Sequence, residues 1–330
     1  MILKKGDKGS SVAKLRSLLN LTSGNLFDQE TEVAVRIYQK SKGLSADGII
    51  GTITATSLGF NPEGYLSTDI STSSSQIRPA NPGQDLSFYD THSGLRIYKS
   101  YLDKDEYISG TSPKQWLALH HTAGGHDPHT VIRQWNDDTR GRIATQFVIG
   151  GISTTNGSDM QDGRIVECFP DKDWAYHLGE NGSSHLHPES VALEICNWGY
   201  LTKGGYTRKQ QWIAKDPDRF YNYTGGIIPD SMICDLTFKF KGHQYYHLYT
   251  DKQLESLIRL SKEIASRHPK IDLKAGLHQW ISSQSPNDAF EFKKEAYNGT
   301  SKGVFSHSNI RADKTDLSPQ PKLIQALQSL

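Results

Sequence analysis

The chain has 330 residues, with 37 Lys and Arg against 36 Asp and Glu, a formal charge of +1. That length makes two domains the prior, at least one with a sizeable core. The balanced charge has no block of five or six like residues and gives nucleic acid no reason to bind, and no apolar stretch reaches the roughly eighteen residues of a membrane span.

The N-terminus MILKKGDKGSSV has lysines but no apolar run behind them, so it does not read as a secretory signal. Cys168, Cys196 and Cys234 are an odd count without Cys-x-x-Cys spacing, which argues against a disulfide framework and a cysteine zinc cluster. Cys168 and Cys196 fall in apolar runs and are expected to pack.

Residues 1–60 form a pattern of their own. Ser10 can cap a helix with Val12, Leu15, Leu18 and Leu19 on one face. Asp28 can cap a second, with Thr31, Ala34, Val35 and Tyr38 inward and Gly43 at its end. A third, short helix is predicted from Thr52 to Leu58, so this part reads as a small all-α three-helix domain. Its wording, LKKGDKGSSVAKLRSLLN followed by LFDQETEVAVRIYQKSKGLSADGIIGTITATSLG, resembles the peptidoglycan-binding domain found beside cell-wall hydrolases. The Gly-Asp-x-Gly entry, the Gln-x-x-x-Gly-Leu turn and the Asp-Gly-x-x-Gly exit appear in order. Residues 61–85, rich in Ser, Thr, Pro, Gly and Asn, read as a flexible linker.

From residue 86 onward strands alternate with helices. WLALHHT, TQFVIGG, RIVECF and SVALEIC have strand character, while Thr130–Trp135 and Thr250–Arg267 have helical spacing. Thr250 and Gln253 stand in capping-box positions ahead of an inward stripe of Leu254, Leu257, Ile258 and Ile264. The fold class predicted is α/β, a mixed β-sheet covered by helices. Residues 203–247 and 279–303 read as insertions. The first is dense in aromatics, which can stack on sugars or simply pack.

Successive strand residues point to opposite faces, so Trp116, Ala118 and His120 share one side of WLALHH, and Leu117, Leu119 and His121 the other. The leucine side is the better core face. His120 is then free to face a site, and His121 packs or hydrogen-bonds beneath it. The same parity sends Glu194 away from Val191, Leu193 and Ile195. A glutamate in an apolar strand is either satisfied by a buried arginine or functional. In VFSHSNIRADKTD, His307 and Asp316 are ligand types that suit zinc, and Lys314 can steady a developing negative charge.

LALHHTAGG, DGRIVECFPDKDWAYHLG, SVALEICNWG, the capped helix starting YTDKQLESLI, and HSNIRADKTD, in that order, resemble the type 2 N-acetylmuramoyl-L-alanine amidases, the zinc family that also contains peptidoglycan recognition proteins. The resemblance covers residues 86–330 apart from the insertions. It implies one zinc per chain held by His120, His307 and Asp316, with His278 in GLHQWIS as the rival for the second histidine. It also implies Glu194 as general base, Lys314 as support for the oxyanion, and His177 lining the substrate groove. Thr145 stands where some members carry a catalytic tyrosine, and is expected to contact substrate. His126, His129, His185, His187 and His243 are expected in loops without direct roles. Beyond the last ligand, Asp316-Leu317-Ser318 departs from the usual Asp-Pro-Gly.

The function this resemblance implies is cleavage of the amide between N-acetylmuramic acid and L-alanine by a monomer acting on bacterial peptidoglycan. With no signal read in the sequence, a phage endolysin made in the cytoplasm of an infected host is expected. The alternatives are a bacterial wall-recycling amidase and a non-catalytic recognition protein.

Overall fold

The computed structural model describes residues 3–19, 21–42, 44, 46–58 and 87–330. The expected helix stop at Gly43 and the linker over 61–85 lie outside the described residues. The chain divides into two compact units, Met1–Gln76 and Ile77–Leu330.

The first unit contains α1 (Ser10–Leu18), α2 (Gln29–Ser41) and α3 (Thr52–Ser57). Gly9, not Ser10, takes the cap position of α1. Asp28 caps α2 as its sequence predicts, its carboxylate accepting from the Thr31 amide at 2.9 Å. Leu3, Val12, Leu15, Phe27, Val35 and Ile50 form the core. Leu18 falls at the end of α1 and is 42% exposed, so the inward stripe is shorter than its leucines suggest. Arg16 is buried but paired, its guanidinium donating to Asp28 and Glu30 at 2.7 Å each and to the Thr22 carbonyl at 3.1 Å.

The second unit opens with β1 (Ser87–Asp90), β2 (Arg96–Lys99), β3 (Trp116–His121), α4 (Pro128–Asn136), β4 (Phe147–Ile149), β5 (Ile165–Glu167), α5 (Leu186–Glu189) and β6 (Ser190–Ile195). Then come β7 (Tyr200–Lys203), β8 (Gly205–Arg208), β9 (Gln211–Ala214), β10 (Phe220–Tyr221), β11 (Ile227–Ile228), β12 (Ile233–Phe240) and β13 (His243–His247). The chain closes with α6 (Asp251–Arg267), α7 (Leu277–Ser283), α8 (Pro286–Phe290), α9 (Lys294–Tyr297), β14 (Gly303–Ser306), α10 (His307–Ile310) and α11 (Pro321–Gln328).

The main sheet has the order β1-β2-β5-β4-β6-β3-β14. Strands β4, β6, β3 and β14 run parallel, while β5 is antiparallel to β4, so the sheet is mixed. Every residue of β3 and β6 is buried, which is why both read as nearly unbroken apolar runs. Leu254, Leu257, Leu260 and Ile264 of α6 belong to the larger core cluster, with Leu117, Leu119, Val191 and Leu193. A second cluster joins Val131 and Ile132 of α4 to Val148, Val166, Cys168 and Cys196. The three cysteines are free and buried.

Thr250 and Gln253 form the expected capping box, and the Gln253 amide also donates to the Cys196 carbonyl at 2.8 Å, fastening the start of α6 to the end of β6. Strands β1, β2 and β14 escape the sequence pattern, being four residues each. Of these β14 matters most, because its pairing with β3, Ser306 opposite Leu119, delivers His307 to the end of that strand.

The aromatic stretch is an antiparallel sheet, β11-β10-β7-β13-β12, with a separate hairpin β8–β9. Tyr221, Phe240 and Tyr246 are buried in it, whereas Trp212 and Tyr223 are 53% and 43% exposed. His129 stands in α4, His187 in α5 and His243 in β13, not in the loops expected for them.

Candidate metal centre

The site lies at the carboxyl ends of the parallel strands, the edge where open α/β sheets bind ligands. His120 is the fifth residue of β3, Glu194 sits directly across from it in β6, and His307 follows the last residue of β14. Ser306 caps the short α10 with a capping box to Asn309, which starts that turn at His307. The Ser308 amide then donates to the Asp316 carbonyl at 2.7 Å, bringing the loop back so that Asp316 meets the histidines.

His120 Nδ1 lies 3.1 Å from His307 Nδ1 and 3.4 Å from Asp316 Oδ2, and His307 Nδ1 lies 3.1 Å from the same oxygen. Ligands at about 2.0–2.1 Å from a tetrahedral zinc stand roughly 3.3 Å apart, so the three atoms already have the spacing of a tetrahedral face. All three residues are buried, and they are the one group of potential metal ligands of this kind among the described residues. Two imidazoles and a carboxylate, with no fourth protein ligand in the group, make the donor set of a catalytic rather than a structural zinc. His278, in α7, is outside the group.

The electrostatics follow from burial. Desolvation drives His120 down to about 4, helped by the neighbouring His307. Burial raises Asp316, but the neighbouring His307 and the close Nδ1 contacts of His120 and His307 outweigh it and hold the carboxyl well below its usual range. Glu194 is pushed well above the ordinary glutamate value, by burial first and Asp316 second, with Lys314 pulling the other way. Among the described residues no arginine and no hydrogen bond satisfies Glu194, and the Lys314 ammonium has no partner either. The arginine-satisfied reading of Glu194 is therefore not what the fold provides.

His121 turns to the other face, where its Nδ1 is 2.8 Å from the Tyr249 hydroxyl, as strand parity predicts. Gly199, at φ 74, closes over it, and a Cβ there would lie 2.7 Å from His121 Nε2. His177 is buried, with Nδ1 3.1 Å from His120 Nε2 and Nε2 2.7 Å from the Ser190 hydroxyl. Its amide donates to His187 Nδ1 at 3.2 Å. Thr145 is 2% exposed, and its hydroxyl donates to the Phe147 carbonyl at 3.0 Å. Both side chains are buried and hydrogen-bonded within the fold.

Ser190 and His187 carry no signal in the sequence reading, although Ser190 stands four residues before Glu194 on the same face of β6. Beside His187 a groove of about 430 Å³ is lined by Trp174, Tyr176, Glu180 and Asn181, with Trp174 and Tyr176 edge to face at 5.3 Å.

This geometry meets an independent observation: the N-acetylmuramoyl-L-alanine amidase family matches residues 110–320, and a peptidoglycan binding domain matches residues 12–58. The chain belongs to the N-acetylmuramoyl-L-alanine amidase family. The amidase is thus a peptidoglycan hydrolase that carries a wall-binding segment, and a purely non-catalytic recognition role is not favoured. No curated protein matches it.

Among solved structures it is similar to PlyL, at 12% identity over 67% of this chain and 85% of that one, with a TM-score of 0.35. It is also similar to the Ph2119 endolysin from Thermus scotoductus MAT2119 bacteriophage Ph2119, at 14% identity over 71% and 99%, TM-score 0.35. A third is AMPDH3 from Pseudomonas aeruginosa in complex with anhydromuramic pentapeptide, at 18% identity over 64% and 59%, TM-score 0.34. Scores this low add no weight, and the assignment rests on the family match.

Proposed function

We propose that the amidase is zinc-dependent, with His120, His307 and Asp316 as the ligands, Glu194 as general base and Lys314 as the oxyanion partner. The observation that carries this reading is the buried triangle of two Nδ1 atoms and one carboxylate oxygen, already spaced for a tetrahedral ion, with Glu194 directly across the strand pair from His120. When bound, zinc would bring the pKa of a water from about 15.7 to roughly 7 and polarise the scissile carbonyl.

The protein's own groups do the rest. Glu194 takes the proton of the attacking water and hands it to the leaving amine of L-alanine. Its burial suits that exchange, because desolvation makes the carboxylate a readier proton acceptor. The unpartnered Lys314 ammonium supports the carbonyl oxygen as it gains negative charge. The groove formed by Trp174 and Tyr176 offers apolar ring surface for the muramyl-peptide.

We further propose three domains of labour in the chain: wall binding in residues 1–60, a linker over 61–85, and catalysis in 86–330, working as a monomer. An endolysin reading is preferred to wall recycling because a tether helps an enzyme on an insoluble polymer and does nothing for soluble fragments. Among the described residues no helix is long and apolar enough to cross a membrane.

The test is digestion of purified sacculi by metal-free and zinc-reconstituted protein. New L-alanine amino termini should appear with zinc at one ion per chain. Full activity in metal-free protein, or new reducing sugar ends instead of amino termini, would sink the proposal.

A further inference from the structure

The two nitrogens of His177 connect the metal triangle to a carbonyl outside it. The Ser190 hydroxyl donates to the Leu186 carbonyl at 2.5 Å, and its other carbonyl neighbour, that of His187, stands 3.3 Å away. Both are pure acceptors, so whichever takes the hydroxyl proton, Ser190 has only lone pairs left for His177 Nε2 at 2.7 Å. Nε2 must then carry hydrogen, which leaves Nδ1 of the neutral ring bare. That bare nitrogen faces His120 Nε2 at 3.1 Å and calls for a hydrogen there. A neutral His120 with Nε2–H has an unprotonated Nδ1, the atom aimed at His307 and Asp316. His307 is set independently, its Nε2 lying 3.4 Å from the Leu178 carbonyl.

We propose that Ser190 is a positioning residue for metal capture: through His177, its hydroxyl selects the tautomer of His120 that presents a bare Nδ1 to the metal. The inference rests on the zinc-site reading above and adds to it the device that prepares the ligand. Strand β6 thereby carries two groups on one face, Glu194 for the proton and Ser190 for the ligand. The relay from Ser190 through His177 to His120 Nε2 needs no metal, whereas the three acceptor atoms of the triangle then have no hydrogen between them and call for a cation. Partners of ligand histidines of this kind typically hold about ten- to a hundredfold in metal affinity.

The experiment uses the whole protein with ¹⁵N-labelled histidine. Long-range ¹H–¹⁵N correlation spectra should show His177 protonated at Nε2 and bare at Nδ1, before and after zinc is added. Ser190→Ala should mix the His177 and His120 tautomers and weaken zinc, titrated against a chromophoric chelator, by about ten- to a hundredfold. Ser190→Thr, which keeps the hydroxyl, should restore both signals and affinity. A merely structural serine would lower thermal stability without moving the tautomers.

His177 protonated at Nδ1 in the native protein overturns the proposal even if Ser190→Ala does not fold. So does a folded Ser190→Ala variant with native affinity and unchanged His120 signals. If zinc fails to bind His120, His307 and Asp316 at all, the zinc reading falls. If it binds there with His177 protonated at Nδ1, only this inference falls.

Discussion

At the scale of single residues the site separates ligands from the groups that do proton work. Glu194→Gln changes one oxygen to an amide at nearly constant volume and touches none of the three ligands. Zinc content and melting temperature should hold while kcat falls by about a hundredfold to ten-thousandfold. A folded, zinc-loaded Glu194→Gln enzyme with native turnover would remove it as the base. His307→Ala should lose zinc in equilibrium dialysis and His278→Ala should keep it, because only the former sits in the ligand triangle. The reverse result would reassign the second histidine.

At the scale of elements, α6 holds the end of β6 through its capped start and apolar stripe. Leu257 is fully buried, so Leu257→Ala should cost about 2–5 kcal/mol in urea denaturation of the whole chain. Thr250→Ala removes the cap acceptor and should cost about 1 kcal/mol. In the first unit the Asp28 cap gives a pH signature. The Thr31 amide, then its hydroxyl and Arg16, hold the Asp28 carboxyl down to about 2 from 3.8. A depressed carboxyl stabilises the folded form above its unfolded value and loses that effect as pH falls through the folded one. Denaturant midpoints of residues 1–76 should therefore drop between about pH 3.8 and pH 2, and Asp28→Asn should flatten that slope.

At the scale of the whole molecule, the wall-binding match covers residues 12–58 and none of the five proposed catalytic and ligand residues lies there. Tethering raises the local concentration of an enzyme on its polymer without altering its active site. Deleting residues 1–76 should leave cleavage of small soluble muropeptides close to native, while co-sedimentation with sacculi and lysis at low enzyme concentration fall sharply. If the shortened protein sediments as well as the whole chain, the anchor lies elsewhere. The exposed Trp212 of the β8–β9 hairpin and Tyr223, between β10 and β11, are then the first residues to replace.

Local chemistry was enough to read much of this protein from its sequence. Period-two alternation turned His120 away from the leucines and His121 of its strand, and Glu194 away from Val191, Leu193 and Ile195 of its own, because a strand's side chains alternate whatever surrounds it. Capping residues marked α2 and α6, because caps act within a few residues of themselves. Beyond that reach the local pattern was silent, and only the family resemblance put His307 ahead of His278. Whether His307 or His278 joins His120 depends on β14 pairing with β3 across more than 180 residues, and a four-residue strand has too short a pattern to announce that register. The ties of His177 to His120 and Ser190 depend likewise on a loop folding back over β6, and hydrogen bonds between distant segments leave no periodic trace in sequence. Which residues can act was decided locally; which of them meet was decided by the tertiary structure, since only packing brings distant parts of a chain within hydrogen-bond distance.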